Sequence, residues 1–212
     1  MSESLTIVDE KIGRSLFAVN LNAMPCSEFR KALRQIQTEI LNAAAEPNLF
    51  ACPVNTLHLS IFPIVWARGE RSVSQKKSVW NKYQSLVTAA LLEVAKTTDK
   101  FCLEQPTVEF RDSAIILKFP PSPVLEEIRE RTCKIVRDTE LIWNRPDIQH
   151  ITLCRYLKPV SLAQLKAKSS MVSLPEHICW TVDELHLMQE NVYPLLEVES
   201  LYEFKLCIDT SD

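Results

Sequence analysis

His58 and His150 stand in matching surroundings, Leu57-His58-Leu59-Ser60-Ile61 and Gln149-His150-Ile151-Thr152-Leu153. Both phrases read His-apolar-hydroxyl-apolar. This is the alternation of a half-buried strand, in which successive side chains point to opposite faces. On such a strand the imidazole and the hydroxyl two residues later share one face, while leucine and isoleucine fill the other. Two such strands side by side bring two imidazoles and two hydroxyls to one groove, an arrangement suited to acid–base chemistry at a phosphodiester. The unperturbed imidazole pKa near 6.5 lets neutral and protonated forms coexist near neutrality, so one histidine can take a proton while the other gives one. The hydroxyls would donate to non-bridging phosphate oxygens, where negative charge builds. The other two histidines, His177 and His186, lack a hydroxyl at the same offset.

The composition narrows the setting. The chain has 212 residues, 46% hydrophobic and 24% charged, enough to bury a core without metals or disulfides. A net charge of −3 and a pI near 5.9 argue against an extended duplex nucleic acid partner, which demands a basic stripe, but allow a nucleotide or a short RNA. There are only two glycines, which removes the glycine-rich phosphate loops. Phosphate must therefore be held by side chains. Seven dispersed cysteines without a C-x-x-C pair point to reduced thiols and a cytoplasmic or nuclear protein. His177 and Cys179 lie close in sequence, but a zinc site needs two more ligands, so no metal and no cofactor are expected. The N-terminus has no signal-peptide pattern and no stretch is long enough to span a membrane.

The elements that must position the histidines follow from the periodicities. Residues 1–14 read as a flexible lead-in and 15–209 as one domain. A strand is expected over 15–21 and a helix over 27–44, then a proline-containing loop and the first motif strand, 56–66. Residues 67–77 read as a loop and 78–96 as a helix. Strands follow at 101–110 and 113–119, then a helix over 124–139 opened by Pro120-Pro121-Ser122-Pro123. The second motif strand, 149–157, leads to a short helix over 161–168 and strands at 180–188 and 201–208. Each half thus places its motif strand after a strand and a long helix. The expected fold is α+β, two pseudo-symmetric lobes, each with an antiparallel sheet flanked by helices, around a central groove.

The paired phrases resemble the two HxTx signatures of the 2H phosphoesterase superfamily. His150-Ile151-Thr152-Leu153-Cys154-Arg155 is similar to the second signature, and the C-terminal strands resemble the closing strands of that family. The first phrase departs from it in carrying Ser60 for threonine. The resemblance assigns His58 and His150 as acid and base, and implies a metal-independent phosphodiesterase for a 2′,3′-cyclic phosphate or a related 2′-linked nucleotide or short oligonucleotide. A monomer is expected. The alternatives are a 2′–5′ oligoadenylate phosphodiesterase and an AMP-binding module without efficient turnover. Substrate-binding candidates are Ser60, Thr152, Tyr156, Arg155 and Arg68. Regular alternation places Tyr156 on the face of His150 and Arg155 on the opposite face, so Arg155 needs a bulge to reach phosphate. Arg68 and Arg71 sit in the loop after the first motif strand, where they could clamp an anion. Trp66, Trp80, Trp143 and Trp180 read as core anchors.

Overall fold

The computed structural model describes residues 5–44, 48–169, 172, 174 and 178–207. Among these, ten strands and four helices follow in order: β1 (Ser15–Ala23), α1 (Ser27–Ala44), β2 (Leu49–Ala51), β3 (Leu59–Val65), α2 (Val73–Lys96), β4 (Phe101–Glu104), β5 (Thr107–Phe110), β6 (Ala114–Phe119), α3 (Pro123–Val136), β7 (Gln149–Tyr156), α4 (Leu162–Ser169), β8 (Cys179–Val182), β9 (Glu184–Val192) and β10 (Glu197–Lys205). A 3₁₀ turn, Val54–Thr56, precedes β3. The fold is α+β, as expected.

One antiparallel sheet runs β10-β9-β1-β3-β7-β6-β5, with β2 adding to β7. The two motif strands, β3 and β7, are neighbours at its centre. They meet at a single residue pair, Leu59 with Ile151. The sheet is therefore two lobes, β10-β9-β1-β3 and β2/β7-β6-β5, hinged at that pair. The inner positions on either side of it, Leu59, Ile61, Ile151 and Leu153, are all buried. The helices tie the lobes together: α1 packs on β2 and β7, although it follows β1, and α3 packs on β3, although it precedes β7. A small ribbon, β4-β8, stands apart from the main sheet.

Several boundaries differ from the expected ones for local reasons. Helix α2 starts at Val73, inside the expected 67–77 loop. Ser72 caps it, accepting from the Gln75 backbone while the Gln75 side chain accepts from the Ser72 backbone, a reciprocal box legible as S-x-x-Q. The expected strand 101–110 breaks at Gln105-Pro106, where Gln105 has φ of 50° and proline cannot donate to a ladder. β4 then pairs with β8 and β5 with β6. The strand expected at 180–188 likewise divides into β8 and β9, and the last two strands are longer than expected, β9 running to Val192 and β10 starting at Glu197. Helix α3 begins as anticipated, with Ser122 as cap and Pro123 in its first turn.

Residues 5–14 are not a loose lead-in. The backbones of Thr6, Ile7 and Asp9 donate to the carbonyls of Val160, Asp112 and Tyr156, at 2.9, 2.6 and 3.0 Å, which ties the segment to the edge of the second lobe. Trp80 and Trp180 are core anchors, whereas Trp66 and Trp143 are only partly buried.

Candidate active site

His58 occupies the step between the 3₁₀ turn and β3, and its ring is fixed at both nitrogens. Nδ1 lies 2.9 Å from the Thr56 carbonyl, and Nε2 lies 3.1 Å from the Ser60 hydroxyl. A carbonyl only accepts, so Nδ1 carries the hydrogen and Nε2 presents its lone pair to the Ser60 hydroxyl. His150 enters β7 with Nδ1 buried and without a hydrogen bond of good geometry. His58, Ser60, His150 and Thr152 line one pocket of about 170 Å³. The period-2 alternation of each phrase thus does bring the four side chains together.

Both imidazoles are held below the usual histidine range. For His58 burial is the main cause, partly offset by the bond to Thr56, with repulsion from Arg155 adding to the depression. His150 is pushed down to about 4, first by burial and then by His58 and Arg155. A charge on His58 thus disfavours a second charge on His150.

Arg155 joins the pocket because β7 bulges. In the ladder with β6, Ile115 faces Cys154 but Ile116 faces Thr152, which leaves Leu153 as an extra residue. Its carbonyl accepts instead from the Cys52 backbone at 3.0 Å and from Gln37 Nε2 at 2.8 Å. The bulge reverses the alternation beyond it. Arg155 turns to the groove, and Tyr156 turns into the core. Tyr156 is fully buried and donates to the Arg111 carbonyl at 2.9 Å, so it cannot line the groove as expected.

The Arg155 guanidinium is held in place. It donates to Asp9 Oδ2 at 2.8 Å and lies 4.8 Å from the centre of the Tyr193 ring, a cation–π contact. Tyr193 also donates to Asp9, at 2.9 Å. Arg155 Nε is buried without a partner. Glu190, buried at the same pocket, accepts from the Leu195 backbone at 2.8 Å and fastens the β9–β10 turn that carries Tyr193. Burial raises its carboxyl above the usual range. Asp9, Glu190 and Tyr193 escaped the sequence reading, because their relation to Arg155 is made by the fold. Only Pro194, punctuating the turn, was a visible signal.

Arg68 lies outside the histidine pocket. It lines an adjoining groove of about 740 Å³ with Lys11, Arg14, Trp66, Arg111 and Arg155. The two cavities share Ser60, His150, Arg155 and Tyr193 and are therefore continuous. Arg71 instead donates to the Glu140 carbonyl at 2.6 Å. His177 lies outside the described residues.

Arg129 braces the two motif strands where the sheet scarcely does. Fully buried on α3, it donates through Nε to the Ile61 carbonyl at 3.1 Å and through a terminal nitrogen to the Ile148 carbonyl at 3.0 Å. Glu126 balances its charge at 2.7 Å. Arg129→Met should orphan both carbonyls at about 1–3 kcal/mol each. The expected result is a clearly lowered melting temperature in a thermal scan, with Arg129→Lys in between.

No family model matches the sequence, and no curated protein matches it. Solved structures do match. TT0787 of Thermus thermophilus aligns with a TM-score of 0.64 at 18% identity, covering 89% of this chain and 97% of that one. LigT of E. coli, solved with 3′-AMP, aligns at 0.58 and 14% identity, covering 91% of this chain and 98% of LigT. The chain has the fold of LigT and the 2H phosphoesterases. ATU0111 of Agrobacterium tumefaciens, a conserved protein of unknown function, aligns at 0.60 and 11% identity over 92% of this chain and 90% of that one. LigT has also been solved with phosphate, with ATP and with NADP+.

Proposed function

We propose that this protein is a metal-independent phosphodiesterase that opens a 2′,3′-cyclic phosphate, or cleaves a related 2′-linked diester, on a nucleotide or short oligonucleotide. The observation that carries the reading is the convergence of His58, Ser60, His150 and Thr152 on one pocket. One neutral imidazole takes the proton of a water that attacks phosphorus. The bond to a ribose oxygen breaks, and the other imidazole, protonated, gives that oxygen its proton. A phosphomonoester results. Which histidine plays which part depends on how the substrate lies between them.

Ser60, Thr152 and Arg155 would hold the non-bridging oxygens. Ligand pockets for small molecules run to about 300–1,000 Å³, so the histidine pocket suits a phosphate and its immediate substituents. The adjoining groove, with Arg68 on its wall, would take the rest of the nucleotide. No helix among the described residues is long and apolar enough to cross a membrane. All seven cysteines are free. Reduced thiols fit a protein working in the cytoplasm.

The free enzyme must hold one protonated and one neutral imidazole, a state populated between the two apparent pKa values of the pair. Both values are depressed from 6.5, so kcat/KM should peak below pH 6.5 and fall as pH rises. A pH profile with its optimum above 6.5 would contradict this. Stability moves the other way. Between about 4 and 6.5 an unfolded chain binds a proton that folded His150 does not, so stability rises with pH across that window.

The reading is tested by incubating the protein, with EDTA present, with 2′,3′-cyclic nucleotides and with 2′–5′ and 3′–5′ dinucleotides. Turnover of the cyclic phosphates or the 2′-linked diesters is expected. AMP binding without turnover of any of them would instead identify a binding module, and activity abolished by EDTA would refute the metal-free chemistry.

A further inference from the structure

The β4-β8 ribbon has two unlike faces. Alternation buries Phe101, Leu103, Trp180 and Val182, and turns Cys102, Glu104, Cys179 and Thr181 to solvent. The register sets Cys102 opposite Thr181 and Glu104 opposite Cys179, so the two thiols stand on a diagonal with a carboxylate beside them. One donor atom from each of Cys102, Glu104 and Cys179 lies within 4.8 Å of the other two. Among the described residues this is the one group of three histidine, cysteine or acidic side chains so gathered. None of the three lines the histidine pocket or the adjoining groove.

Cysteine is among the most often buried residue types, so two exposed thiols sharing a strand face with a carboxylate are an unusual surface. The donor set also has a chemical preference. Calcium and magnesium take oxygen ligands. Two sulfurs and one carboxylate suit a borderline-soft ion without a geometric demand of its own, as Zn²⁺ is, with Zn–S near 2.3 Å and Zn–O about 2.0–2.2 Å. Donors on one tetrahedral ion at those lengths stand roughly 3.5–3.8 Å apart. The present spacing, within 4.8 Å, is close to that, and all three side chains are exposed. There is also something for such an ion to do. A two-stranded ribbon is marginal by itself, and an ion ligated from both strands would clip β4 to β8.

We propose that Cys102, Glu104 and Cys179 form a surface site for a thiophilic divalent cation, Zn²⁺ in chemical class, that fastens β4 to β8. The site is independent of the phosphodiesterase reading and would persist if that reading failed.

The full chain, fully reduced, is titrated with Cd²⁺ while the thiolate-to-cadmium charge-transfer absorption is followed, and with Zn²⁺ in competition with a chromophoric chelator. Stoichiometric binding is expected, with a band proportionate to two thiolates. Cys102→Ser and Cys179→Ser should each lose that binding, Glu104→Gln should weaken it, and Cys26→Ser should leave it intact. Zn²⁺ should also raise the melting temperature of the wild type and not of the two serine variants, which circular dichroism must show to be folded. An absent band in the wild type would overturn the proposal. So would a band retained in both serine variants, which would place the ion elsewhere, for instance at the buried Cys52 and Cys154. Facile Cys102–Cys179 disulfide formation in a protein whose reduced form binds neither ion would overturn it as well.

Discussion

His58→Ala and His150→Ala should each lower kcat by about 10²–10⁴-fold, the range spanned by a positioned general acid or base. The fold should survive either change. His58 bonds only to its own turn, through Thr56, and to Ser60. His150 Nδ1 makes no hydrogen bond of good geometry that the change would lose. If the two act on one bond in one step, the double variant should lose little more than the worse single one. Steady-state assays beside circular dichroism spectra check both points. Near-normal turnover in either variant would leave the pocket without its chemistry.

Thr152→Val should cost about 10²–10³-fold in kcat, the effect of deleting one donor to the charge that develops in a transition state. Valine keeps the branched shape of threonine and its strand preference, so β7 and its bulge should be undisturbed. KM should change less than kcat, since attack on phosphorus adds negative charge to the oxygens beyond the one charge the diester carries when it binds. Ser60→Ala should behave similarly and has a second consequence. It removes the partner of His58 Nε2, which frees that ring to swing about its remaining bond to Thr56. A rise in KM with unchanged kcat for Thr152→Val would mean that the hydroxyl only binds substrate.

The part of this site that could be read in the sequence is the part made by local periodicity. His58 and Ser60 lie two apart at the start of one strand, and so do His150 and Thr152 in the other; alternation alone sends each pair to one face. The same rule misplaced Tyr156, because it carries no information about a bulge whose orphan carbonyl is satisfied by Gln37, more than a hundred residues away. Arg155 could be placed only conditionally for that reason. Its anchors, Asp9 and Tyr193, come from opposite ends of the chain. Arg129 had no signature, since an arginine on an amphipathic helix is ordinarily a solvated one. Element boundaries failed where one periodic run served two sheets, as at Gln105-Pro106. The start of α2 was legible in Ser72 to Gln75 and simply lay inside a polar run.

In the proposed chemistry, two histidines and two hydroxyls around one phosphate perform the reaction without a metal. The most direct test is hydrolysis of a short oligonucleotide ending in a 2′,3′-cyclic phosphate, in EDTA, by the wild type and by the His58→Ala/His150→Ala double variant. A terminal phosphomonoester formed by the wild type and not by the folded double variant is the predicted result. Equal hydrolysis by both proteins would contradict the account.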